Sequence, residues 1–361
     1  MIYFLAIYSA AAALSFTDFS PKLRRVGAFF CIILLAMLAG WRNMGGRDFY
    51  IYQDIYYGLQ LNYMSSEAGY ALLNNLFSFL GFSFNGFLFF YSLISIAVLV
   101  AFLERHVKYP KFALLFYMAC YFFFYNMVLN RQMLCMSLAL WVVYFWDKNK
   151  PLSLIWLFTG FFFHQSIIVL LPFLFAYEVL KRTKGIKCWA AFFILFIAVT
   201  AALSPLQFIS LVSSVPGLSF ISGRTLGYLE HASGTYSLNV VEYIKMAAAL
   251  MIILPFIKRI WASRENRIWL FLYFSGVILL FWTRNVEILF RIFVYFDLSL
   301  LVLIPLALNI FILRIPKVQR KSLLVLIYGF IGLLTIGAIL YRTAKFGDGA
   351  FWSYQFYFLD I

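Results

Sequence analysis

The sequence predicts an all-α protein that crosses a membrane many times. Composition is the first reason: of 361 residues, 65% are hydrophobic and only 12% are charged, with a mean hydropathy of +0.91. No soluble core needs that much apolar surface. The second reason is that apolar runs close to membrane-spanning length recur along the whole chain. The third is that short stretches rich in lysine and arginine separate these runs, the pattern that holds loops on the cytoplasmic side. That pattern accounts for the net charge of +15 without any nucleic acid as partner.

The elements follow in order. The opening MIYFLAIYSAAAALSF lacks a basic n-region and a small-residue cleavage site, so it reads as a retained helix over about 2–16. Further spans are expected at about 26–41, 84–103, 112–128, 131–146, 188–209, 238–257, 267–283, 288–312 and 322–341. The apolar stretch at about 152–177 is long for one helix and short for two. Charge resolves it. The clusters Lys22/Arg24/Arg25, Arg105/Lys108/Lys111, Lys148/Lys150, Lys181/Arg182/Lys184/Lys187, Lys258/Arg259/Arg264/Arg267 and Arg314/Lys317/Arg320/Lys321 should all lie inside. For 148–150 and 181–187 to share a side, the chain between them must go in and come back. A pair of short helices near 152–178 is therefore expected, meeting near His164, with their turn covered by protein or a wet cavity. The total becomes about 11–12 transmembrane helices with both termini outside. An amphipathic helix near 68–82, containing ALLNNLFSFLGF, should lie on the outer surface. The whole of 1–361 is expected to form a single integral membrane domain. Outer loops 42–83 and 210–237 would contribute to its active-site cavity. The second of these is rich in Ser and Gly and holds Arg224, Glu230 and His231, a composition suited to a lid.

Cys31, Cys120, Cys135 and Cys188 all lie in or beside apolar runs, and none forms a CxxC pair. They read as small buried hydrophobes. No metal and no cofactor are expected, because no second histidine or carboxylate stands at ligand spacing from His164.

Sorting the cations by side separates lysine from arginine. The inner stretches hold nearly all the lysines. The outer ones hold Arg42, Arg47, Arg131, Arg224, Arg284, Arg291 and Arg342, with Lys345 as the outer lysine. Membrane orientation does not distinguish the two residues. Phosphate recognition does: the guanidinium fork binds phosphate through two parallel hydrogen bonds, whereas an ammonium is a hydrated point charge. Scattered headgroup contacts would be the plainer reading. Several of these arginines, however, sit at apolar helix ends, where an unpartnered cation is costly. A phosphate or pyrophosphate ligand on the outer face is expected.

Polar constellations then stand out. WRNMGGRDFYIYQDIYYG (41–58) gathers Arg42, Arg47, Asp48, Asp54 and tyrosines including Tyr52. Gly45 and Gly46 allow a tight turn there, and an interfacial aromatic belt is the plain alternative. Glu67 opens EAGYALLNNLF, where it can cap the helix or act chemically. Arg131 and Gln132 follow Asn130 at a helix start, where free N–H groups favour an anion. His164 lies in FFFHQS at the turn of the two short helices; it is either a hydrogen-bonded structural residue or a proton carrier. In WTRNVEILFRIFVYF, Arg284 and Arg291 are separated by about two turns of one face. Glu287 lies between them and Tyr295 one turn beyond. An ion pair within that helix would satisfy one arginine and leave the other needing an anion.

These pieces, in this order, resemble the EpsG/Wzy family of membrane polysaccharide polymerases, which make O-antigen, capsule or exopolysaccharide. The resemblance rests on WRNMGGRDFYIY, SEAGYALLNNLFSFLG, NRQMLCMSLAL, FFFHQSIIVLLP and RIFVYF; GGRD stands where Gly-Thr-Asp is usual. It implies a GT-C-like glycosyltransferase in the bacterial inner membrane, working on its outer side. The substrates it implies are undecaprenyl-pyrophosphate-linked oligosaccharides within membrane lipid, with undecaprenyl pyrophosphate released. A chain-length-regulating co-polymerase is a further implied partner. In that setting Arg131, Arg284 and Arg291, with Arg42, would stabilise the anionic leaving group without a metal. Gln132, Tyr52 and Tyr295 would line the substrate. Asp48, Glu67 or His164 would take the acceptor proton, with Asp48 favoured because flanking arginines keep it ionised. An O-antigen ligase is a rival, though loop 210–237 is modest for one. A flippase or transporter would need a polar pathway, and Lys245 and Asp297 are the charges that fall deep within spans.

Overall fold

The computed structural model describes residues 2–42, 49–59, 67–127, 130–183, 186–205, 207, 210, 240–283 and 287–345. Among them are helices and turns and no strand. The protein is an all-α polytopic membrane protein. Among the described residues, five helical segments are long and apolar enough to cross a membrane: Leu23–Gly40, Phe84–His106, Arg264–Thr283, Arg291–Ile312 and Lys317–Ala338. Shorter apolar helices of 10–17 residues lie between them. The chain divides into two units, Met1–Ile167 with Ile304–Ile361, and Ile168–Leu303.

The first unit contains α1 (Ile2–Ala13), α2 (Pro21–Gly40), α3 (Phe49–Tyr56), α4 (Ala68–Phe79), α5 (Phe84–His106), α6 (Pro110–Tyr117), α7 (Phe123–Met127), α8 (Asn130–Trp146) and α9 (Lys150–Phe163). Helices α2, α5, α8 and α9 pack in that succession. The α2–α5 crossing depends on Gly40, since a Cβ there would stand 2.2 Å from the Phe89 Cα. Trp41 then stacks on the Phe89 ring at 4.8 Å. Helix starts carry recognisable caps: the Ser83 hydroxyl accepts from Gly86 N–H, and the Asn149 side chain accepts from Leu152 N–H. A short π-helical segment, Met118–Phe122, links α6 to α7. The Tyr8 hydroxyl donates to its Met118 carbonyl at 2.5 Å. The expected span at 112–128 is thus one helix with a π insertion, and a side chain from α1 serves a carbonyl within it.

Lys22, Arg24 and Arg25 were expected in a loop but lie within α2, because Pro21 at the first helical position starts the helix early. The same holds for α14 (Arg264–Thr283) and α17 (Lys317–Lys345), which both begin on a basic residue. Cations at a helix N-terminus oppose the macrodipole. Lys111, itself buried, pairs with Glu104, which also takes Arg24 at 2.6 Å.

The short-helix expectation at 152–178 matches what is seen. Helix α9 ends at His164, whose backbone is extended. A 3-10 turn, Gln165–Val169, leads into α10 (Leu170–Leu180). The surface helix expected near 68–82 is α4. Its face with Leu72, Leu76, Phe79 and Leu80 is exposed while Tyr70 and Asn74 are buried, as an interfacial helix requires. Most of α17 is exposed and apolar, including Leu326, Phe330 and Leu333.

In the second unit, α11 (Ile186–Ala202), α12 (Val240–Ile253), α13 (Ile257–Ala262), α14 and α15 (Glu287–Asp297) follow α10. Helix α14 packs on α15, α11, α13 and α10. The expected span at 288–312 is matched by Arg291–Ile312, in which α15 ends at Asp297 and α16 (Leu300–Ile312) follows a two-residue turn at Leu298 and Ser299. Asp297 is 2% exposed and takes Lys245 of α12 at 2.5 Å, and Lys245 also meets Glu242 at 2.6 Å. The two charges expected deep within spans therefore neutralise each other.

Candidate active site

Within the first unit, four elements bring polar side chains to one point. Arg131 stands in the first turn of α8, and His164 terminates α9. Glu67 immediately precedes α4, and Tyr52 comes from α3. The Glu67 carboxylate bridges the two bases. Its Oε2 accepts from Arg131 Nη1 at 2.9 Å, and its Oε1 meets His164 Nδ1 at 2.5 Å. The Arg131 guanidinium lies over the Tyr52 ring, 5.1 Å from its centroid. Residues 64 and 97 positions apart in sequence thus form one hydrogen-bonded chain.

The local fold explains the convergence. Helix α9 packs along α8, and the Cys135 thiol of α8 donates to the Gly160 carbonyl at 2.9 Å. Gly160 leaves room for Ile167, whose methyl would stand 2.5 Å from a Cβ there. These contacts fix where α9 ends and so where His164 points. On α4, Gly69 lets the helix start press against the end of α9: a Cβ would lie 2.5 Å from Phe162 Cδ1 and 2.9 Å from its carbonyl oxygen. Tyr70 is fully buried and packs edge-on against Tyr91 and Phe87. The Tyr91 hydroxyl donates to the Arg131 carbonyl at 3.0 Å. An aromatic wall thus backs the hydrogen-bonded chain on the α5 side.

Glu67 occupies the cap position of α4, yet its side chain makes no capping bond; its main-chain carbonyl accepts from Ala71 N–H instead. The carboxylate is directed to chemistry-bearing partners and not to the helix. Burial pushes its pKa up, but the hydrogen bond and charge of His164, with Arg131, outweigh burial and hold it below the ordinary carboxylate range. Side-chain exposure is 10% for Glu67, 18% for Arg131 and 23% for His164. The acid is therefore the covered member, while its two partners keep an open side.

Asp48, Arg47 and Arg284 lie outside the described residues, as does loop 210–237 beyond Ser210. Arg42 is wholly buried. It donates to the carbonyls of Ala39, Asn126 and Met127, the last at 2.9 Å, and lies over Phe49. In place of the expected phosphate contact, its guanidinium ties the end of α2 to α7. Asn85 completes this tie by donating to the Gly40 and Arg42 carbonyls. Gln132 is buried beside Arg131. Arg291, half-buried, and Tyr295, buried, lie on α15 in the second unit. Sequence reading missed the supporting residues Tyr91, Cys135 and Gly160; the one available signal was Tyr70, inside the quoted SEAGY.

No curated protein and no solved structure matches the chain. The sequence model of the EpsG family matches residues 26–356. That range begins within α2 and runs past α17, taking in every member of the Glu67–Arg131–His164 group. The chain belongs to the EpsG family and is a membrane polysaccharide polymerase in that general sense.

Proposed function

We propose that the protein polymerises undecaprenyl-pyrophosphate-linked oligosaccharide repeat units at the outer face of the bacterial inner membrane, with His164 as general base. One observation carries this reading. Glu67 holds His164 through Nδ1, which leaves Nε2 to take a proton. An acceptor hydroxyl loses its proton to Nε2 as its oxygen attacks the anomeric carbon of the growing chain. The bond from that carbon to the pyrophosphate oxygen breaks, and undecaprenyl pyrophosphate leaves. Glu67 balances the imidazolium that forms. Arg131 keeps Glu67 ionised and adds positive charge at the start of α8, where free N–H groups also favour a phosphate. Arg291 and Arg284 are the further candidates for the leaving group. Asp48 remains an alternative base. Neutralisation of Lys245 by Asp297 and Glu242 weighs against transport along that part of the chain.

The test uses purified protein in proteoliposomes with a lipid-linked repeat unit, the products being resolved by size. A ladder spaced by one repeat supports the proposal. Transfer only to lipid A core favours a ligase, and movement across the bilayer without a new bond favours a flippase; either result overturns it.

A further inference from the structure

We infer that Tyr91 is a positioning residue for the Glu67–Arg131–His164 group, acting through its hydroxyl on the start of α8. The inference rests on the role proposed above for His164. Tyr91 lies on α5 and is 1% exposed, yet its contacts are long-range. Its hydroxyl donates to the Arg131 carbonyl at 3.0 Å, 40 positions away. Its ring stands edge-on to Tyr70 of α4 at 5.4 Å and tilted to Phe163 of α9 at 6.5 Å, both distances at which aromatic rings attract. Tyr70 is three residues past Glu67, and Phe163 directly precedes His164. One side chain on α5 therefore meets each of the three elements that deliver a group to the site.

The hydroxyl bond falls where a helix is least fixed. Arg131 is in the first turn of α8, whose N–H groups have no partner within the helix. The turn that carries the guanidinium must therefore be held from outside. Within the helix, the Arg131 carbonyl is placed to accept from Cys135 N–H, and a carbonyl oxygen can accept twice. The Tyr91 bond is thus not required to satisfy that carbonyl. What it adds is a fixed distance between α5 and the start of α8. Arg131 Nη1 stands 2.9 Å from Glu67 Oε2, and N–H···O bonds span about 2.7–3.2 Å. A displacement of about 0.5 Å at the start of α8 takes that contact out of range, and Glu67 passes the change on to His164 through Oε1. The ring contacts with Tyr70 and Phe163 oppose the same displacement from the α4 and α9 sides. Tyr91 acts on the reaction through Arg131 and Glu67.

The test is a double-mutant cycle on the full chain in proteoliposomes, with a lipid-linked repeat unit as substrate and kcat and KM read separately. Tyr91→Phe keeps the ring and removes the hydroxyl. It should lower kcat about 10-fold, less than the roughly 100-fold of a 1 Å misplacement, and leave KM within about 2-fold of wild type. In the Glu67→Ala background the link from Arg131 to His164 is already gone. There the same substitution should change kcat by less than about 2-fold. Glu67→Gln serves as the second background if Glu67→Ala does not purify as a folded chain. Equal losses in both backgrounds would show Tyr91 to support the fold alone and overturn the inference. Wild-type kcat in Tyr91→Phe, with or without a rise in KM, would overturn it too. Wild-type kcat in Glu67→Ala is a different failure: it would sink the role of the Glu67–His164 pair, and this inference with it.

Discussion

Two ion-paired clusters, one in each unit, use the same residue types to opposite ends. In the second unit, Lys245 faces two carboxylates, Asp297 and Glu242. Both members of the Lys245–Asp297 pair are closed off, at 9% and 2% side-chain exposure. In the first unit one carboxylate, Glu67, faces two bases, and the bases keep an open side. The first arrangement quenches a lysine inside the protein. The second leaves an excess of proton- and phosphate-binding capacity at helix ends. The difference between the two clusters lies in which partner is buried and which keeps an open side.

The comparison can be broken most forcefully at the two centres. His164→Ala should lower the polymerisation rate by about 10²–10⁴-fold, the range for loss of a general base, with a smaller change in melting temperature than Asp297→Ala gives. Asp297→Ala should do the reverse. Removing one partner of a buried pair costs about 3–5 kcal/mol, read by unfolding in detergent, and replacing Lys245 and Asp297 together by apolar residues should recover much of it. Arg291→Ala should reduce the repeat ladder by about 10²–10³-fold, the scale of losing one donor to a developing anion, while expression stays near normal. Gly69→Ala should act more mildly. Its methyl collides with Phe162 and pushes Glu67 away from His164, with a stability loss of about 1–3 kcal/mol as for an overpacked site.

The smallest effect concerns pH. The folded Glu67 pKa lies below its ordinary value, so its ion pairs stabilise the protein at pH above about 4.3. That contribution is lost as pH falls through the lower, folded value. The melting temperature of wild type should exceed that of Glu67→Gln near neutrality, and the gap should narrow as pH drops below about 4.

Much of the fold was legible in the sequence because apolar length and cation placement are local signals. The break at His164 followed from loop parity alone, and the surface helix from its pattern. The Lys245–Asp297 pair was not legible, since its members stand 52 positions apart. The site divides in the same way. Glu67, Arg131 and His164 each stood out as charges at helix ends, but their union required α4, α8 and α9 to meet. Arg42 misled for a physical reason: an arginine that ties carbonyls together looks, in sequence, like one that waits for phosphate. The supports Cys135 and Gly160 are small, apolar in pattern and silent until the α8–α9 contact is seen.

The central claim is that Glu67-held His164 takes the proton during glycan polymerisation. It is tested most directly by reconstituting His164→Ala beside wild type with one lipid-linked repeat unit and measuring both repeat binding and ladder formation. The account predicts wild-type binding with the ladder reduced by at least about 100-fold. A ladder of wild-type rate and length from His164→Ala would contradict it.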